Sequence, residues 1–303
     1  MTPTESDHTL PPPPFPDVPD GDCTFDLVLG DVRVRVQNLP TAWDPYIATE
    51  FHLFAQRPDR AATPDLTLSC RYEQRAPVIP VIGAGQSTQL TIRRDGPDRY
   101  SLASHWHEAT IDLTTRRGTL TLVSRQWIQF RMSLENALRV VFQLVLIERG
   151  LFLMHTAAIV DRSRAFLFFG HSGAGKSTAT RFSAPRPALS DDMVLVDLRG
   201  AAPTAEAVPF YGAMPRALRH AGRYPIAAAL RLRQAPDDRL ERLSLARAVA
   251  TVGGSVPFVH EFGVAHEGLT SLVARFCTHL PIYDLHFTKS ARFWDALNRE
   301  FPI

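Results

Sequence analysis

Gly170-His171-Ser172-Gly173-Ala174-Gly175-Lys176-Ser177-Thr178 is the stretch whose reading decides the fold. It follows Ala165-Phe166-Leu167-Phe168-Phe169, an apolar run rich in aromatics that suits a buried strand, and leads into a helix-compatible segment ending near Pro185. Gly-x-x-x-x-Gly-Lys-Ser is the Walker A spacing, and strand, loop and helix form the context it requires. Each residue type has a task. Gly173 and Gly175 allow backbone conformations closed to other residues, so successive N–H groups can turn toward phosphate oxygens. Lys176 brings a compact positive charge to the β and γ phosphates, Ser177 offers a hydroxyl to Mg²⁺, and the helix N-terminus adds partial positive charge. All nine residues from Gly170 to Thr178 are expected to form the ATP cradle.

Immediately upstream, Leu151 to Val160 reads as a strand and Asp161 to Arg164 as a turn, making a tight antiparallel hairpin with Ala165 to Phe169. In the common P-loop ATPases that strand enters a parallel βαβ unit instead. His155 lies on the first hairpin strand, where it reads either as a structural histidine or, if pairing across the turn brings it beside the loop, as a residue of the site. Before the hairpin, Ser133 caps an expected helix with Leu134, Leu138, Val141 and Val145 at helical spacing and Gly150 as its stop.

Downstream, Ala188 to Asp197 reads as one buried strand with acids at both ends. Phosphoryl transfer needs a carboxylate to hold the metal or its water and, where the acceptor is a hydroxyl, a base to take the proton. Asp191-Asp192 and Asp197 are the choices, with Asp197 favoured as a plain strand end. Arg216, Arg219 and Arg223 share a face if Pro215 to Arg223 is helical, which suits either anion neutralisation or a solvated basic surface. Ile226 to Leu232 and Ile282 to Phe287 read as strands, Asp237 to Glu241 as a charged loop, and Ser244 to Val252, Leu269 to His279 and Ser290 to Arg299 as helices. His260, Glu261, His266 and Glu267 lack His-Glu-x-x-His order and read as surface.

From Cys23 to Gln129 the apolar period is two, as in Phe25, Leu27 and Leu29, then Val32, Val34 and Val36, and later Leu120 and Leu122. With turn signals between the runs, this predicts a meander of short antiparallel strands. His105 and His107 read as a solvated strand face rather than a metal pair. The proline-dominated residues 1–21 read as a tail. The domain plan is therefore a tail over 1–21, a β-rich domain over 22–130 and an α/β (α+β) phosphate-loop domain over 131–303.

A net charge of +2 argues against nucleic acid or an acidic membrane as partner. Cys23, Cys70 and Cys277 are odd in number and widely spaced, so neither a disulfide framework nor a zinc site is expected. With no apolar run of spanning length and no signal-peptide pattern, the expected location is the cytoplasm.

Three motifs in order, His155-Thr-Ala-Ala-Ile-Val160, Gly170 to Thr178, and Ser190-Asp-Asp192, together resemble the HPr kinase/phosphorylase C-terminal domain and its HPr-kinase-related proteins. The likeness runs from about Leu134 to Phe301. It implies a P-loop kinase fold akin to phosphoenolpyruvate carboxykinase, Mg-ATP as donor, a serine or other hydroxyl as acceptor, and self-association as a homo-oligomer. It further implies that Asp191 and Asp192 supply base and metal functions and that His155 sits beside the transferred phosphate. The glycine-rich segment with glutamate and arginine that follows the doublet in that family has no counterpart; Glu206 and Arg216 are the nearest residues.

The resulting expectation is an ATP-dependent kinase: Lys176 on the phosphates, Ser177 and Asp191 on Mg²⁺, and the remaining aspartate and His155 at the reacting atoms. The alternative is a nucleotide-binding regulatory module with little transfer. The acceptor, protein, peptide or small molecule, is left open.

Overall fold

A computed structural model of the chain describes residues 21, 23–59, 61–80, 90–124, 126–212, 214, 220–258 and 267–302. All of the expected tail but Gly21, and Arg216, Arg219, His260, Glu261 and His266, fall outside them. The fold is mixed α/β, with two large mixed sheets and six helices among the described residues. It divides into two compact units between Val141 and Phe142.

The first unit contains β1 (Cys23–Leu29), β2 (Val32–Leu39), α1 (Asp44–Glu50), β3 (Ala55–Gln56), β4 (Leu66–Tyr72), β5 (Thr91–Arg94), β6 (Arg99–Ala103), β7 (His107–Asp112) and β8 (Arg117–Leu122). Alternation builds the sheet as expected: Leu27, Val32, Val34, Val36, Leu66, Leu68 and Leu120 are fully buried on one face. The sheet is no antiparallel meander. Its order is β3-β1-β2-β4-β8-β7-β6-β5, and β4 runs parallel to both neighbours. Period-two patterning fixes which face is buried but says nothing about strand direction. His105 and His107 also depart from expectation, both being buried rather than on a solvated face.

Helix α2 (Trp127–Glu148) begins six residues before the expected cap at Ser133, which is itself buried. Trp127 and Phe130 anchor the extra turn by packing edge-on to Trp43. Gly150 stops the chain after the helix with a left-handed φ of 77°.

The second unit contains β9 (Leu151–Asp161), β10 (Arg164–Phe169), α3 (Lys176–Phe182), β11 (Ala188–Ser190), β12 (Met193–Asp197), β13 (Thr204–Ala207), β14 (Arg223–Gln234), β15 (Arg239–Arg242), α4 (Leu245–Gly253), α5 (Glu267–His279), β16 (Ile282–Phe287) and α6 (Phe293–Glu300). Its sheet follows β10-β9-β12-β13-β14-β16-β15, and β10 also pairs with β14, closing a ring through five strands. The long β9 and β14 make this closure, since each changes partner along its length. Residues 151–155 of β9 pair with β12, and the following residues pair with β10 and β11.

β10 is the hairpin partner of β9 on one side and parallel to β14 on the other, so all of Ala165 to Phe169 is buried. Phe166 and Phe168 pack edge-on against Trp294 of α6, in a core with Ala174, Ala179, Leu230 and Phe287. This packing fixes the strand from which the glycine loop springs.

Three further expectations are corrected. Ala188 to Asp197 is two strands, with Asp191 and Asp192 at the break; Ser190 Oγ accepts the N–H groups of Asp192 (3.1 Å) and Met193 (3.0 Å) and turns the chain there. Arg223 opens β14 rather than ending a helix, and Arg239 to Arg242 form β15, which takes up the second half of the expected charged loop and runs one residue past it.

Candidate functional site

The glycine loop leaves β10 at Phe169 and re-enters regular structure at Lys176, the first residue of α3. Gly173 (φ 80°) and Gly175 (φ 113°) take positive φ. At Gly175 a second constraint applies, because a Cβ there would stand 2.8 Å from Phe287 Cζ. Ala174 points into the core, and its N–H donates to the His171 carbonyl (3.0 Å). Gln234 Nε2 reaches across from the end of β14 to the Gly173 carbonyl (3.3 Å).

Lys176 Nζ donates to the Gly170 carbonyl (3.1 Å), folding over its own loop. Burial lowers its pKa, and the nearby Asp192 charge opposes that shift. Ser177 is exposed, and its hydroxyl has no hydrogen-bond partner among the described residues.

Strand register brings the acids to this loop. Phe169, the last residue of β10, pairs with Thr156, so the loop begins beside His155. His155 also pairs with Met193 of β12, and Thr156 N–H donates to the Asp192 carbonyl (2.9 Å), which draws the Asp191-Asp192 break alongside. His155 Nε2 lies 3.2 Å from Asp192 Oδ1. Asp191 is buried, and its Oδ1 accepts the Gly212 N–H at 2.9 Å.

These residues line one cavity of about 370 Å³: Ser172, Gly173, Gly175, Lys176, Ser177 and Thr178 from the loop and α3, facing His155, Asp191, Asp192 and Gly212. Of the expected loop residues, Gly170, His171 and Ala174 are outside its wall. Asp197 is also elsewhere, at the far end of β12, where hydrogen bonds from Arg199 hold its carboxyl below the usual range. Arg223 joins that network and pairs with Glu206 (2.7 Å), so neither faces the loop. Sequence reasoning missed Gly212, Gln234 and Phe287. Only the glycine in Phe210-Tyr211-Gly212 hinted at a close backbone approach.

The donor set fits a hard cation. Ser177 offers a hydroxyl that is unengaged among the described residues, and the aspartates offer carboxylate oxygens across the cavity, the oxygen chemistry that Mg²⁺ takes. Across the same cavity, a lysine and loop amides suit an anion.

Fold and site define a mixed α/β protein in which a lysine-bearing glycine loop faces an aspartate pair and a histidine. The chain belongs to the SynChlorMet cassette protein ScmC family, whose model matches residues 122–302. That match corrects the resemblance to the HPr kinase family: the shared motifs do not make the chain a member of it. None of the curated proteins matches the chain. Among the described residues no helix is long and apolar enough to cross a membrane.

Proposed function

We propose that this chain is an ATP-dependent phosphotransferase whose second unit is a P-loop kinase fold, transferring the γ-phosphoryl group to a hydroxyl. The observation that carries the reading is the single cavity in which Lys176 and the glycine loop face Asp191, Asp192 and His155. Phosphoryl transfer through a loose transition state asks mainly for positioning and charge neutralisation, which a lysine and fixed amides supply. Lys176 exchanges its contact with the Gly170 carbonyl for the terminal phosphates of ATP. Ser177 with one carboxylate of the pair would hold Mg²⁺, which when bound shields the phosphate charges. The other carboxylate takes the acceptor's proton, and His155 holds Asp192 in place.

The test is nucleotide binding and single-turnover transfer side by side. Wild type is expected to bind MANT-ATP in the presence of Mg²⁺ and to move label from γ-labelled ATP into an acceptor in a lysate of the source cells. Lys176→Ala should reduce transfer by roughly three powers of ten or more while the fold persists. Full turnover in that variant would rule the assignment out. Binding without any transfer would replace the enzyme with a nucleotide-sensing module.

A further inference from the structure

A second cavity, of about 570 Å³, adjoins the first, and among the described residues it shares only Ser177 and Asp191 with it. Its remaining wall is largely apolar, with Pro185, Ala188 and Met214 among its residues. Its volume is that of a small-molecule site. Among the described residues two cations border it, and they differ in their commitments. Arg186 is engaged, donating to Asp161 (2.8 Å) and stacking 3.9 Å over the Trp294 ring. Arg181, exposed on the last turn of α3, has no carboxylate partner among the described residues; its guanidinium lies 5.3 Å over the neighbouring Phe182 ring.

The shared wall decides which end of the nucleotide this cavity meets. In a Gly-Lys-Ser loop the lysine and the serine hydroxyl attend the terminal phosphates and their metal, not the base. A cavity that opens at Ser177 therefore opens at the γ-phosphoryl end, where an acceptor has to stand for in-line displacement. Asp191 is the carboxylate common to both spaces, and the Gly212 N–H fixes one of its oxygens.

We infer that this second cavity is the acceptor site, and that it takes a small hydroxy acid: an apolar body against Pro185, Ala188 and Met214, an anionic group at Arg181, and an alcohol directed at Asp191. The inference rests on the phosphotransferase reading and names its substrate class. In the transfer, the acceptor oxygen forms a bond to the γ-phosphorus and the bond from that phosphorus to the β–γ bridging oxygen breaks. ADP leaves with the electron pair, and the alcohol proton passes to the Asp191 carboxylate. A guanidinium with no carboxylate partner among the described residues, beside an apolar wall, discriminates between an acid and its neutral isostere, because only the acid gains a charge-assisted bond there.

The experiment uses the full chain and two readouts. In MANT-ATP titrations, Ala188→Trp, which fills the cavity, and Arg181→Met are expected to bind within about twofold of wild type, since neither touches the phosphate cradle. A tenfold weakening in Ala188→Trp would put the nucleoside in this cavity and overturn the assignment. Absence of binding in wild type would instead remove the phosphotransferase reading beneath it. In the second readout, γ-labelled ATP is offered with tropate or ω-hydroxydecanoate, each beside its neutral amide. Label should enter at least one acid roughly tenfold faster than its amide, the ratio should fall to about one in Arg181→Met, and Ala188→Trp should abolish the label. No label in either acid, equal label in acid and amide, or an unchanged preference in Arg181→Met overturns the hydroxy-acid site.

Discussion

His155 Nε2 and Asp192 Oδ1 stand 3.2 Å apart, joining the first hairpin strand to the break between β11 and β12. The imidazole approaches the carboxylate at one corner, and its own backbone is tied down by donation from the His155 N–H to the Ser255 carbonyl (2.7 Å). A side chain held in this way positions Asp192 relative to Lys176, whose ammonium feels the Asp192 charge. His155→Ala should slow single-turnover transfer by about tenfold to a hundredfold, with His155→Gln recovering part of the loss because its amide can still donate to Asp192. Both variants should bind MANT-ATP like wild type. Equal rates in all three proteins would remove His155 from the site.

Gly212 gives a sharper steric test. Its N–H donates to Asp191 Oδ1, and a Cβ at this position would stand 3.0 Å from Asp191 Oδ2. One methyl group must therefore push the carboxylate aside without touching the glycine loop. Gly212→Ala is expected to reduce transfer by about tenfold or more while nucleotide affinity changes little, because displacement of a reacting group by a fraction of an ångström is costly. Parallel losses of affinity and rate would show that the substitution disturbs the whole cavity, not Asp191 alone.

Gly175 carries two constraints that a double variant separates. Its φ of 113° strains any residue with a Cβ, and that Cβ would meet Phe287 Cζ at 2.8 Å. Gly175→Ala should cost about 2 kcal/mol or more and abolish measurable MANT-ATP binding, since the loop must shift. Adding Phe287→Leu relieves the contact but not the backbone. The double variant should regain part of its thermal stability without regaining nucleotide affinity. Recovery of both would make the ring contact the whole reason for glycine.

What could be read from the sequence follows from how local each determinant is. The glycine loop, the aspartate doublet and the hairpin leading to them were legible because contiguous residues encode them. Burial of alternate side chains in β1, β2 and β8 was legible for the same reason. The parallel pairing of β4 was not, since apolar alternation is identical in either direction. Gly212 was hidden because its partner, Asp191, lies 21 residues away, and Phe287 because it meets Gly175 only through the tertiary fold. The start of α2 was misplaced because Ser133 imitates a cap, while the aromatic packing of Trp127 and Phe130 on Trp43 extends the helix. The family assignment misled for a related reason: it rested on three short motifs, whereas the family model that matches spans residues 122–302.

His107 supplies a pH test of the first unit. The imidazole is buried, neither ring nitrogen has a hydrogen-bond partner among the described residues, and burial pushes its pKa down from 6.5 to about 4. In the unfolded chain the ring titrates near its ordinary value, so between these two values the unfolded state binds a proton that the folded state refuses. The stability linked to the neutral ring is thus complete above about pH 6.5 and is lost as pH falls toward 4. His107→Leu removes that linkage and two unsatisfied buried nitrogens. Between pH 7.5 and pH 5 wild type should lose about 2 kcal/mol relative to the variant, read as urea midpoints at the two pH values. The variant should equal or exceed wild type at pH 5, where the proton competes most. If both proteins lose stability in parallel over that range, the ring is reached by water or by a partner group in the folded protein and does not drive the acid sensitivity of this unit.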